Sequence, residues 1–204
     1  MRFTVPLDDL LRSRTHIRLL RALHQLPEDV EVSIRDLGRR AAVSHPTAAR
    51  VLRSLEQQGL VQVHRLGRTD AYRLNRAHHF YPILRSLFVD ETRIRDSLIE
   101  LLRTELPRRL GDVQEAYLFG SAARADMRPD SDIDVGVSVR SAATESLSEA
   151  DTELRDLVRA KFGNELNLHF SQVSSRQRGR KPVHRAIARE GIQILPARNR
   201  RGAA

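Results

Sequence analysis

The chain contains no cysteine, which rules out a disulfide framework and thiolate chemistry and suits a reducing compartment. It also lacks any apolar run near the roughly 20 residues of a membrane-spanning helix. Its N-terminal stretch shows no basic-then-apolar leader pattern. No membrane partner is therefore expected, and the cytoplasm is the expected compartment. Lysine is nearly missing, since Lys161 and Lys181 are the only two. The net charge of +9 is thus arginine charge, which an arginine-rich genome produces as readily as a polyanion partner would. No internal repeat is visible. What remains is 40% apolar and 30% charged over 204 residues, enough for one large or two small globular cores.

The charge is unevenly spread. Residues 1–90 carry 15 basic and 9 acidic groups, net +6. Residues 91–175 carry 11 and 16, net −5, and residues 176–204 carry 9 and 1, net +8. A basic front suits a polyanion, and an acidic middle suits a metal site.

Leucines at 7, 10, 11, 20, 23 and 26 predict a helix over residues 8–25, closed by Pro27. Ser33 with Asp36 three residues on opens a second short helix through Ala42. Ser44, with Pro46 in the first turn, opens a third that Gly59 closes. Its inward stripe is Ala48, Leu52 and Leu55 with Val51 beside it, leaving His45, Thr47, Ala49, Arg50 and Arg53 outward. Residues 61–65 and 70–74 alternate around a glycine-containing turn and read as a hairpin. Three helices and a basic hairpin follow the order of a winged helix–turn–helix, and residues 44–68 resemble the recognition helix and wing of bacterial regulators. The resemblance implies contact with double-stranded DNA by His45, Thr47, Arg50 and Arg53 on the helix and Arg65 and Arg68 on the wing. Dimerisation or protein contact is the competing use of such a fold. His78 and His79 have no carboxylate or cysteine at ligand spacing and receive no role. From Ile83 to Leu102 apolar residues recur at helical spacing up to Pro107, predicting one or two connecting helices. A palindromic operator would require such helices to pair in a homodimer.

The densest chemistry lies between Leu118 and Val139. An apolar run ends at Gly120-Ser121, a small-residue helix start follows, and after a turn near Pro129 the chain alternates strictly. Asp132, Asp134, Gly136 and Ser138 share one face of a strand, and Ile133, Val135, Val137 and Val139 the other. Carboxylates at i and i+2 can converge on a hard cation such as Mg²⁺. Gly120 allows close backbone approach, and amides at a helix start favour phosphate oxygens.

Phe119-Gly120-Ser121, a ten-residue spacer and Asp132-Ile133-Asp134-Val135 resemble the signature of the DNA polymerase beta-like nucleotidyltransferases. Arg124 and Ser131 add a likeness to the minimal branch of that superfamily. The resemblance implies Mg²⁺ (or Mn²⁺) on Asp132 and Asp134, and a nucleoside triphosphate, with ATP expected, seated by Gly120, Ser121, Arg124 and Ser131. The family's third carboxylate would fall at Asn167, on a strand whose outward face carries Glu165, Asn167 and His169. An amide cannot usefully accept a proton, so reduced catalysis, substitution by Glu165, and nucleotide binding without transfer all stay open.

The expected fold class is α+β: an N-terminal winged helix–turn–helix domain followed by a small mixed-sheet nucleotidyltransferase domain with flanking helices. The expected division is 1–77 winged helix, 78–91 connecting helix, 92–196 nucleotidyltransferase and 197–204 basic tail. The expected function is a DNA-binding enzyme that moves a nucleoside monophosphate from NTP to a hydroxyl acceptor. Such an acceptor would be a protein tyrosine, serine or threonine, or a small molecule. The alternative is a transcription regulator whose second domain binds nucleotide or a toxin partner with little or no catalysis.

Overall fold

The computed structural model describes residues 11–67, 69–111, 113–128, 130–139, 144–172, 187 and 189–195. The chain divides into two compact units, residues 1–92 and 93–204.

In the first unit, α1 (Arg14–His24) starts where Ser13 turns extended and its hydroxyl accepts from the His16 N–H. Residues 1–10, where the predicted helix begins, lie outside the described residues. After β1 (Val32–Ser33), Ser33 caps α2 (Ile34–Ala41) by accepting from the Asp36 N–H at 3.1 Å. Such a cap is worth about 1 kcal/mol. Ala42 then adopts a left-handed conformation, and the Val43 N–H donates to the Gly38 carbonyl at 2.9 Å. A Cβ at Gly38 would lie 2.9 Å from the Val43 carbonyl oxygen, so this tight turn requires glycine. It aims α3 (His45–Gln57).

The hairpin of β2 (Val61–Leu66) and β3 (Thr69–Leu74) follows, paired from Val61↔Leu74 to Leu66↔Thr69. With β1 it forms an antiparallel sheet of order β1-β3-β2. The predicted inward stripe of α3 is buried throughout: Ala48, Val51, Leu52 and Leu55. Leu19, Leu20, Leu23 and Leu37 pack against it. Each fully buried leucine contributes about 1.5–3 kcal/mol.

Of the one or two helices predicted, the structure has one, α4 (Tyr81–Leu110), and it runs through Pro107 rather than stopping there. A proline inside a helix costs one backbone hydrogen bond. Burial of Leu106 and Leu110 along the stripe of Leu98 and Leu102 offsets that loss. The helix ends at Gly111, φ 72°, whose N–H donates back to the Pro107 carbonyl.

In the second unit, β4 (Val113–Phe119), the one-turn helix α5 (Ser121–Arg124), β5 (Ile133–Val139), α6 (Thr144–Phe162), β6 (Leu166–Gln172) and β7 (Ile192–Leu195) follow in order. The sheet order is β6-β5-β4-β7. β4 pairs antiparallel with β5 and β7, whereas β5 and β6 are parallel. A parallel neighbour needs a long crossover, and α6 supplies it. Ile133, Val135, Val137 and Val139 are buried as the alternation requires, together with Leu154 and Val158 of α6. The fold is α+β. Towards the C-terminus, where the sequence from Pro182 to Gly191 reads as a helix ending at glycine, Ile187, Arg189 and Glu190 are described and helical. The side chain of Leu147, residues 182–186 and the arginine-rich stretches 176–181 and 197–204 lie outside the described residues.

Candidate functional site

Both predicted acids stand at the entry of β5, flanked by strands on either side. Asp134 pairs in register with Phe119 of β4 and with Asn167 of β6. Asp132, one alternation earlier, is exposed. The parallel register sets Asn167 opposite Asp134, yet its Nδ2 donates diagonally to Asp132 Oδ2 at 3.0 Å. His169, opposite Gly136, likewise leans back, with Nε2 3.2 Å from Asp134 Oδ1. An ionised carboxylate only accepts, so the imidazole is the donor in this pair.

Gly120 has φ 72° and ψ −150°, and a Cβ there would sit 2.7 Å from Asp134 Oδ2. Only glycine lets the bend come this close to the carboxylate. The turn is held from behind. Ala122 and Ala123 are buried, and the Arg95 guanidinium donates to the Ala123 carbonyl at 3.3 Å. The Arg124 N–H donates to the Gly120 carbonyl, and the Asp126 N–H to that of Ser121.

The remaining predicted residues are divided by the structure. Arg124 lies between carboxylates, with Nε 3.1 Å from Asp126 Oδ2 and Nη1 2.7 Å from Glu190 Oε1. The hydrogen bond to Asp126 and the charge of both acids hold its pKa above the ordinary value. Ser131 shapes the turn before Asp132. Its Oγ accepts from the Arg128 N–H, and its carbonyl accepts from Asn164 Nδ2. Glu165 precedes β6 and its carboxylate pairs with Arg159 of α6 at 2.8 Å. Asn167, not Glu165, therefore reaches the acids. The alternation places His169 on this face without giving it a role.

On the first unit, His45, Arg50, Arg53 and Arg65 are exposed, and Thr47 is half-buried. Thr47 Oγ1 accepts from Ser44 Oγ at 3.0 Å. Arg65 lies 3.7 Å from Glu56. Among the described residues no ion pair involves Arg50 or Arg53, and Arg68 lies outside them.

Two oxygen donors one alternation apart fit a hard divalent cation. Among the described residues no group of three His, Cys, Asp or Glu side chains completes a cage. A pair of carboxylates would suit Mg²⁺, which is commonly held by one or two carboxylates together with substrate phosphates. Among the described residues no helix is long and apolar enough to cross a membrane.

A winged helix–turn–helix unit followed by a carboxylate-bearing mixed sheet defines a two-domain α+β protein. Residues 12–70 match the model of the MarR family, and residues 99–199 match that of the polymerase beta nucleotidyltransferases. The chain joins a MarR-family winged-helix domain to a polymerase beta-family nucleotidyltransferase domain. No curated protein matches it.

Among solved structures, the toxin–antitoxin MntA–HpeT, in a mutant form, is 20% identical with a TM-score of 0.37, covering 51% of this chain and 74% of that one. A toxin–antitoxin structure with AMP-PNP is 22% identical at the same coverage and score. The homodimeric winged helix–turn–helix DNA-binding domain of a possible ArsR-family regulator from Mycobacterium bovis is 22% identical, TM-score 0.34, covering 48% of this chain and 82% of that one.

Proposed function

We propose that this protein is a DNA-binding nucleotidyltransferase that transfers a nucleoside monophosphate from an NTP, ATP first, to a hydroxyl acceptor. The observation that carries the reading is Asp134, wedged against the Gly120 bend with Asp132 one alternation away. Asp132 and Asp134 would hold Mg²⁺ or Mn²⁺, which when bound neutralises phosphate oxygens and the departing pyrophosphate. The Gly120-Ser121 bend would seat the terminal phosphates. Arg124, bracketed by Asp126 and Glu190, would add positive charge beside the bend. The acceptor oxygen bonds to the α-phosphorus while the bridge to pyrophosphate breaks, and the hydroxyl proton passes to solvent.

The first unit would dock DNA through His45, Thr47, Arg50 and Arg53 of α3, with Arg65 and Arg68 on the wing against phosphates. A second copy of the chain is the partner expected for a palindromic operator, and Ile83 and Leu87 of α4 expose apolar surface for one.

The test incubates the full chain with labelled NTPs, Mg²⁺ and cell extract. Transfer is expected from the wild type and not from Asp132→Ala plus Asp134→Ala; transfer that survives both changes removes the assignment. A second reading has its own support. Asn167 occupies the third-carboxylate position and is already hydrogen-bonded to Asp132, which favours a regulator that binds nucleotide with little turnover. That reading expects nucleotide-dependent DNA affinity without pyrophosphate release. A gain of release in Asn167→Asp would mark a site weakened at this position.

A further inference from the structure

The face of β6 toward the acids carries two side chains with matched geometry. Asn167 engages one oxygen of Asp132, and His169 engages one oxygen of Asp134. Each bond runs diagonally across the parallel register, two positions back along β5. Gly136, opposite His169 in the register, is packed over by other side chains. A Cβ at Gly136 would meet Ile187 Cδ1 at 2.5 Å and Phe119 Cε1 at 3.8 Å. Phe119 and His169 instead meet ring to ring, with centroids 5.2 Å apart and planes tilted by 55°. His169 is thus braced by an aromatic ring while its Nε2 addresses Asp134 Oδ1. The other oxygen of that carboxylate, Oδ2, faces the Gly120 bend.

We infer that His169 is a positioning residue for Asp134, aiming Oδ2 at the Gly120 bend, where the cation and triphosphate would sit. This rests on the nucleotidyltransferase reading. A carboxylate on a single χ1–χ2 axis samples several orientations in a half-exposed site, and a hydrogen bond to one oxygen selects among them. Donors behind a metal-binding carboxylate act this way, and removing one typically costs on the order of 10–100-fold in metal affinity or activity. With Asn167 in place of a third acid, aim is carried by two donors rather than shared among three charges. The role demands more of His169 here than a third carboxylate would allow.

The test uses the full chain with Mn²⁺ read by its electron paramagnetic resonance signal, with and without a non-hydrolysable ATP analogue, alongside pyrophosphate release. His169→Phe keeps a ring against Phe119 but removes the donor, whereas His169→Gln keeps a donor and removes the ring. Expected is a loss of about tenfold or more in Mn²⁺–nucleotide affinity for His169→Phe, with His169→Gln within about threefold of wild type. Thermal melting should separate this from unfolding, with His169→Phe melting near wild type. Equal affinity of His169→Phe and wild type would overturn the role, and so would equal losses in both variants, which would assign the effect to ring packing. A wild type that binds neither Mn²⁺ nor the nucleotide overturns the parent reading and this role together, a result distinct from a binding wild type with silent variants.

Discussion

The two units hold their functional charges in opposite ways. On the winged helix, Arg50 and Arg53 are exposed and carry no ion pair among the described residues, and Arg65 is only 3.7 Å from Glu56. In the second unit Asp132 and Asp134 are each fixed by a named donor, and Arg124 is gripped by two carboxylates. The difference matches the ligands proposed for each unit. A phosphate backbone is a repeating charge that a loosely held guanidinium can find, whereas a small cation needs oxygens in fixed places. Mobility is tolerable on one surface and damaging on the other.

The largest expected effect tests whether the units are separable. Leu52 and Leu118 are each fully buried, one in each core. Leu52→Ala and Leu118→Ala should each destabilise their own unit by about 2–5 kcal/mol, read by calorimetry. Leu52→Ala should impair DNA binding and spare nucleotide binding, and Leu118→Ala the converse; a lesion that abolishes both activities breaks the comparison.

Next comes Gly120→Ala. The added Cβ must displace Asp134 Oδ2, and φ 72° strains alanine, at a cost of about 1–3 kcal/mol. Misplacement of a reacting group by an ångström costs on the order of 100-fold in rate. Pyrophosphate release should fall by that order while DNA affinity stays unchanged.

On the winged helix, Arg50→Ala with Arg53→Ala should flatten the slope of log affinity against log salt by about 2, roughly one for each arginine that no longer neutralises a phosphate. An unchanged slope in fluorescence anisotropy would point to a protein partner.

The smallest effect is acid sensitivity, expected of the first unit. Burial, reinforced by nearby arginines, holds the His16 and His24 pKa values below 6.5 in the folded chain. The unfolded chain then binds more protons, so this stability is present above pH 6.5 and is lost as pH falls through the folded values. The melting transition of the first unit should drop between pH 7.5 and 5.5, and His24→Gln should reduce the drop.

Much of this was legible from spacing. The apolar alternation of residues 133–139 and the stripe of α3 were enough to place the acids and the outward arginines, because burial enforces both periods. The Gly120 bend was legible for a different reason: few residues other than glycine fit a close approach at positive φ. The continuity of α4 was not, since Pro107 is a local stop signal and the burial of Leu106 and Leu110 that overrides it is tertiary. The diagonal bonds from Asn167 and His169 were not legible either. Alternation assigns a face, but only the parallel register of β5 and β6 decides which side chain reaches which acid. Glu165 shares that face on paper and is drawn aside by Arg159 of α6, a contact no strand pattern encodes.

One consequence concerns length rather than composition. The segment Gly163–Glu165 joins α6 to β6, and it is pinned twice to the entry of β5. Asn164 Nδ2 donates to the Ser131 carbonyl, and the Glu165 carbonyl accepts from the Ile133 N–H. Adding or deleting one residue there would turn Asn167 and His169 inward and Leu166 and Leu168 out to water, since strand faces invert with every single step. This short joint is therefore a ruler: it tolerates changes of letter far better than changes of count.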